Sequence, residues 1–132
     1  MKFRCKKIAP RVLRPVIPIE LQHQGNSVRY EVLVDSGADI CMVPAELGEL
    51  LGISLRKGKK GIVGGITGGG QEYFVHEITI RVGGWAQSVE IGFMPSMPPV
   101  GYGVVGQKGF FDLWKVIFDG RRGEVEIKPY AS

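Results

Sequence analysis

Two cysteines, Cys5 and Cys41, are too few for a disulfide framework. That excludes the small stapled secreted scaffolds and fits a reducing, intracellular setting. Cys41 stands in the apolar run Ile40-Cys41-Met42-Val43 and reads as a small buried hydrophobe. Histidine is equally scarce: His23 and His76 read as surface and strand residues. No Cys/His spacing suggests a metal, and no cofactor is expected. No apolar stretch approaches the ~18 residues of a membrane span. Pro10, Arg11 and Arg14 interrupt any segment that could serve as a signal peptide, so the chain is expected to be cytoplasmic, with no membrane partner. Acidic residues are absent from the first 14 positions, which carry Lys2, Arg4, Lys6, Lys7, Arg11 and Arg14.

That local excess accounts for the formal charge of +4, because the other 11 basic and 13 acidic residues leave the body close to neutral. Residues 1–13 therefore read as a basic N-terminal arm ahead of a domain covering 14–132. An anionic surface or nucleic acid could use such an arm. No basic groove with interleaved aromatics accompanies it, and a nucleic-acid partner is not favoured. A length of 132 residues suits one domain with a genuine core. Twenty glycines, eight prolines and short β-branched runs point to an all-β architecture with tight turns.

Arg14–Leu21 has apolar residues at alternate positions, and its two prolines make it an edge strand. Gln24-Gly25-Asn26-Ser27 turns the chain into a second strand, Val28–Val34, completing a hairpin. Ile40–Val43 reads as a short buried strand. A short helix follows over 44–52, with Pro44 at its start and Gly52 as its stop. Further strands are expected over 73–82, 86–94, around 100–106, 115–118 and 124–128. Residues 107–114 fit one helical turn, and Trp85 and Trp114 read as packing residues. About eight strands and one or two short helices suggest a small closed β barrel.

Six of the ten residues from Gly61 to Gly70 are glycine. No phosphate-binding spacing is present, and a strand rather than a helix is expected to follow, so this segment reads as the tip of a long mobile hairpin. Val32-Leu33-Val34 delivers Asp35 onto a tight turn, Asp35-Ser36-Gly37-Ala38-Asp39. Asp-Ser-Gly is ordinary turn chemistry in isolation. Farther on, Val104-Val105-Gly106 precedes Gly109-Phe110-Phe111-Asp112-Leu113-Trp114.

Taken in order, Asp35-Ser36-Gly37-Ala38, the glycine-rich hairpin and Val104-Val105-Gly106 resemble the retropepsin-like aspartic proteases, single-domain relatives of pepsin. The resemblance covers roughly residues 14–128. It implies a closed-barrel acid-protease fold with its active site at a C2 dimer interface. Asp35 would be the catalytic carboxylate. Ser36 would bond the partner subunit's loop, Gly37 would face substrate through its carbonyl, and Ala38 would pack beside it. Gly106 would be the glycine against which the catalytic loop is threaded. Ile62, Gly64, Gly65 and Ile66 would form the flap, with Gly68-Gly69-Gly70 as a second candidate tip. Val100, after Pro98-Pro99, and Val104 would line apolar side-chain pockets, and Asp39 would contact substrate backbone.

Two carboxylates sharing one proton are needed for this hydrolysis. The chain has a single Asp-[Ser/Thr]-Gly, so a homodimer must supply the second, each Asp35 meeting its own copy across the axis. The expected activity is endopeptidase cleavage of extended, largely apolar peptides. A weakly active peptide-binding module on the same fold is the alternative. Its motivation is one departure: retroviral members place an Arg after the apolar-apolar-Gly motif, and here that residue is Gln107. Asp39 is left to find Lys108, Arg11 or Arg14 of a second copy, or substrate.

Overall fold

The computed structural model describes residues 1–64 and 69–130. Its strands are β1 (Lys2–Arg4), β2 (Lys6–Ala9), β3 (Val12–Arg14), β4 (Val16–His23), β5 (Asn26–Val34), β6 (Met42–Pro44), β7 (Lys59–Val63), β8 (Gln71–Val82), β9 (Trp85–Met94), β10 (Gly103–Val105), β11 (Trp114–Asp119) and β12 (Glu124–Pro129). One α-helix, α1 (Ala45–Leu50), and a 3-10 turn at Leu55–Lys57 complete the described secondary structure.

The main sheet runs β4-β5-β10-β6-β9-β8-β7, and β4 also pairs with β8. That extra pairing closes six strands into a barrel and leaves β7 outside it. Alternation along the strands fills the interior: Ile17, Ile19 and Leu21 from β4, Ile78, Ile80 and Val82 from β8, and Ile91 and Phe93 from β9 are all buried. Each such side chain contributes about 1.5–3 kcal/mol by leaving water. Helix α1 lies against β9, where Gly48 rests on the Phe93 ring; a Cβ there would stand 3.1 Å from that ring. The expected all-β closed barrel is therefore the observed fold.

Pro18, the one proline inside β4, acts more locally than an edge assignment implies. β4 pairs with β5 along its whole length, but with β8 only through Glu20, Leu21 and Gln22. Pro18 lies in the half with one partner, where a missing N–H leaves no gap in a second ladder. Only that half is an edge.

The stretch 107–114 is a series of turns, not a regular helix. Phe111 N–H and Asp112 N–H reach back five residues, to the carbonyls of Gly106 and Gln107, before Trp114 N–H returns to Phe110 at 2.7 Å.

The basic segment, taken through Arg14, contains three short strands. β1 pairs with β12 in a three-stranded sheet with β11. β2 and β3 form a separate hairpin whose residues are all exposed. Polar, basic sequence without buried alternation explains why these strands escape a periodicity reading.

Candidate active site

β10 runs between β5 and β6, parallel to the first and antiparallel to the second. The chain leaving β5 must therefore loop over β10 before it re-enters the sheet as β6. Residues 35–41 are that loop. Asp35 N–H donates to Val105 O at 3.0 Å, fixing its backbone to the end of β10. Ala38 N–H donates to Asp35 O at 3.1 Å and closes the turn. Gly37 N–H donates to Asp35 Oδ1 at 2.9 Å, so one carboxylate oxygen is pinned. Among the described residues Oδ2 accepts no hydrogen bond, and Asp35 has no ion pair. The carboxylate is half-buried, held in orientation, with one oxygen free for chemistry.

Gly106 is packed against this loop so closely that a Cβ would collide with Ala38 O and stand 2.8 Å from Ile40 O. Only glycine fits between the two segments. The next two residues lace the loop down: Gln107 N–H donates to Ala38 O at 2.8 Å and Lys108 N–H to Asp39 O at 2.9 Å. The Gln107 side chain adds a third tie, Nε2 donating to Ser36 O at 2.7 Å. Cys41 closes the far end of the loop. Its Sγ accepts Gly106 N–H at 3.4 Å and donates to Lys108 O at 3.5 Å. Burial pushes this thiol up to about 11, against a smaller opposing effect of the Gly106 N–H. It is a structural hydrogen-bonding group, not a nucleophile.

The remaining candidates lie in the loop itself, on β10, on the β7–β8 hairpin and in the loop before β10. Ser36 and Gly37 are exposed and Ala38 is half-buried. Val104 is half-buried between Leu33 and Met42. Ile62 and Val100 stand out at 65% and 78% exposure, unusual for aliphatic side chains. Tyr30 steadies the loop carrying Val100 by donating from its hydroxyl to Pro99 O at 3.2 Å. The β7–β8 hairpin carries Ile62 in register with Glu72 and turns through Gly64, whose φ of 81° is left-handed. Gly65, Ile66 and Gly68 lie outside the described residues. Gly69 also has a positive φ, 73°.

Asp39 is exposed, and among the described residues its side chain has no hydrogen bond or ion pair. Lys108 meets Asp39 through its backbone only; its ammonium lies 3.8 Å from Glu90. In the sequence Gln107 reads as a loss and Cys41 as packing. Their positions directly after Val-Val-Gly and at the loop's far end were the available signals. Which backbone groups they meet depends on the threading of β10.

A family model described as aspartyl protease matches residues 19–108. The chain belongs to the retropepsin-like aspartyl protease family, and by that membership is a peptidase of the aspartic type. Among solved structures, the EIAV protease complexed with the inhibitor HBY-793 is similar at 23% identity and a TM-score of 0.48, covering 70% of this chain and 81% of that one. No curated protein matches. No helix among the described residues is long and apolar enough to cross a membrane.

Proposed function

We propose that the chain is a homodimeric endopeptidase whose two Asp35 carboxylates meet on a twofold axis and hydrolyse extended, largely apolar peptides in the cytoplasm. The observation that carries this reading is the half-constructed site. Asp35 is fixed by Val105 O and Gly37 N–H, has one free oxygen, and belongs to the only Asp-[Ser/Thr]-Gly in the sequence.

Two carboxylates at about 3 Å cannot both ionise, so the pair holds one proton and its pKa values belong to the pair. The ionised member takes a proton from a water between them as its oxygen attacks the scissile carbonyl. The protonated member donates to the carbonyl oxygen, giving a neutral tetrahedral diol. Collapse returns the second hydroxyl proton to a carboxylate, protonates the amide nitrogen and breaks the C–N bond. The products are an acid and an amine, and no cofactor takes part.

Ser36 would join the two loops across the axis, while the Gly37 carbonyl and Asp39 would orient the substrate backbone. The hairpin carrying Ile62, Gly64, Gly65 and Ile66 would close over the groove and exclude water. Exposed Val100, with Val104, supplies apolar contact for substrate side chains. The Gln107 tie to Ser36 O supports the catalytic reading over the binding-module alternative, since the loop is held without the arginine.

A digest of an extended-peptide library between mildly acidic and neutral pH, with a pepstatin-type inhibitor as control, tests the proposal. Asp35→Asn should abolish inhibitor-sensitive cleavage while melting and sedimentation show an intact dimer. Cleavage that survives Asp35→Asn would overturn it.

A further inference from the structure

The register of β7, β8 and β9 places Lys59, Gly61, Tyr73, Val75, Glu90 and Gly92 on one face of the sheet at the root of the glycine-rich hairpin. Two of these are glycines, and the Tyr73 ring lies across both. A Cβ at Gly61 would run into the ring, and one at Gly92 would stand 3.0 Å from it. Beside the ring lies a cavity of about 150 Å³, walled on its other side by Ile40 and Lys108. That is too small for a drug-sized ligand, whose sites start near ~300 Å³, and suits a single side chain.

The cavity has a biased charge. Lys60 also borders the cavity, but its side chain leaves on the opposite face of β7, where Glu72 holds it at 2.7 Å. Lys59 has no ion-pair partner among the described residues. Lys108 approaches Glu90 at 3.8 Å with both side chains more than half exposed, a loose solvated pair worth little. Among the residues lining the cavity, Lys59 and Lys108 therefore share one carboxylate, Glu90; Glu77, opposite Glu90 in register, does not line it and accepts the Ser88 hydroxyl at 2.9 Å, so a carboxylate from a ligand would balance the lining. The phenol of Tyr73 offers an additional donor.

The cavity also lies where a substrate would pass. Its inner wall belongs to the catalytic loop, through the Ile40–Lys108 bridge and the Lys108 N–H bond to Asp39 O. Its outer wall is the root of the flap hairpin. A peptide strand held between loop and flap presents alternate side chains to such walls.

We propose that this cavity is a specificity site for an acidic side chain, Asp or Glu, of the peptide substrate, held by Lys59 and Lys108. The proposal rests on the peptidase reading and deepens it. A twofold dimer has two copies of the cavity, so the acidic preference falls at two positions equally distant from the cut.

Extended peptides carrying Glu or Gln at one position, walked along the chain, are titrated against the Asp35→Asn dimer at low and high salt. Glu should bind about fivefold to tenfold tighter than Gln at the two symmetric positions, with the difference shrinking in salt. Lys59→Ala with Lys108→Ala should erase that difference, and Lys59→Glu should turn the preference toward Lys. Equal binding of Glu and Gln everywhere, a preference that survives removal of both lysines, or no binding by any peptide overturns the proposal. Cleavage by the unsubstituted enzyme is read separately. Asp35-dependent cleavage without acidic preference removes only the specificity site. Absence of Asp35-dependent cleavage removes the peptidase reading and leaves the binding comparison interpretable.

Discussion

Gln107 Nε2 donates a 2.7 Å hydrogen bond to the carbonyl oxygen of Ser36, the residue directly after Asp35. With the Gln107 N–H on Ala38 O, one residue clamps the Asp35 turn at two points, on either side of Gly37. An amide side chain does this with one neutral bond, and it leaves no charge for Asp39.

The clamp predicts a selective effect on catalysis. A side-chain hydrogen bond contributes about 1 kcal/mol, so Gln107→Ala should cost little melting temperature. Its larger effect is on the orientation of Asp35, for which small misplacements are expensive. We expect roughly a tenfold fall in kcat at nearly unchanged KM, from the tenfold-per-1.4 kcal/mol relation. Gln107→Glu should be worse, because an ionised carboxylate would face the Ser36 carbonyl. Steady-state kinetics checks both; an unaltered kcat for Gln107→Ala would show that the backbone bonds suffice.

What could be read from the sequence divides along physical lines. The barrel strands were legible because burial inside a closed sheet writes a period of two into Ile17–Leu21, Ile78–Val82 and Val89–Phe93. The Asp35 turn and Gly106 were legible because each is constrained by its immediate neighbours or by the absence of a Cβ. Contacts made by threading were not. The roles of Gln107 and Cys41 arise only when β10 passes between β5 and β6, bringing residues about seventy positions apart into hydrogen-bond range. β1, β2 and β3 were missed because short exposed pairs carry no hydrophobic pattern. Pro18 was misweighted because a strand can be an edge along half its length.

Asp39 yields a prediction about assembly. Lys108 meets Asp39 only through its backbone, so the Asp39 carboxylate has no counter-ion among the described residues. Arg14, exposed at the end of β3 and without an ion pair among the described residues, is the candidate counter-ion from a second copy. Arg14→Asp should weaken the dimer about tenfold, and Arg14→Asp with Asp39→Arg should restore it. Analytical ultracentrifugation over a dilution series reads both. If Asp39 serves substrate instead, the double charge exchange recovers nothing, and Asp39→Asn changes KM without changing the dimer constant.

Cys41 ties stability to alkaline pH. Its thiol is raised by burial from an ordinary value of 9.0 to about 11 in the folded chain. The folded state therefore keeps its proton where the unfolded state has lost it. Below pH 9 both states are protonated and the full stability is present. Between pH 9 and 11 the unfolded chain binds fewer protons, so stability falls as pH rises, by about 2 to 3 kcal/mol over the window. Cys5, also raised by burial, adds a slope of the same sign. Cys41→Ala should lower stability at neutral pH through the lost packing and hydrogen bonds, yet flatten the decline above pH 9. Urea unfolding at pH 7, 9, 10 and 11 measures the two slopes. Parallel curves for the unsubstituted chain and Cys41→Ala would show that the thiol does not ionise on unfolding in this range.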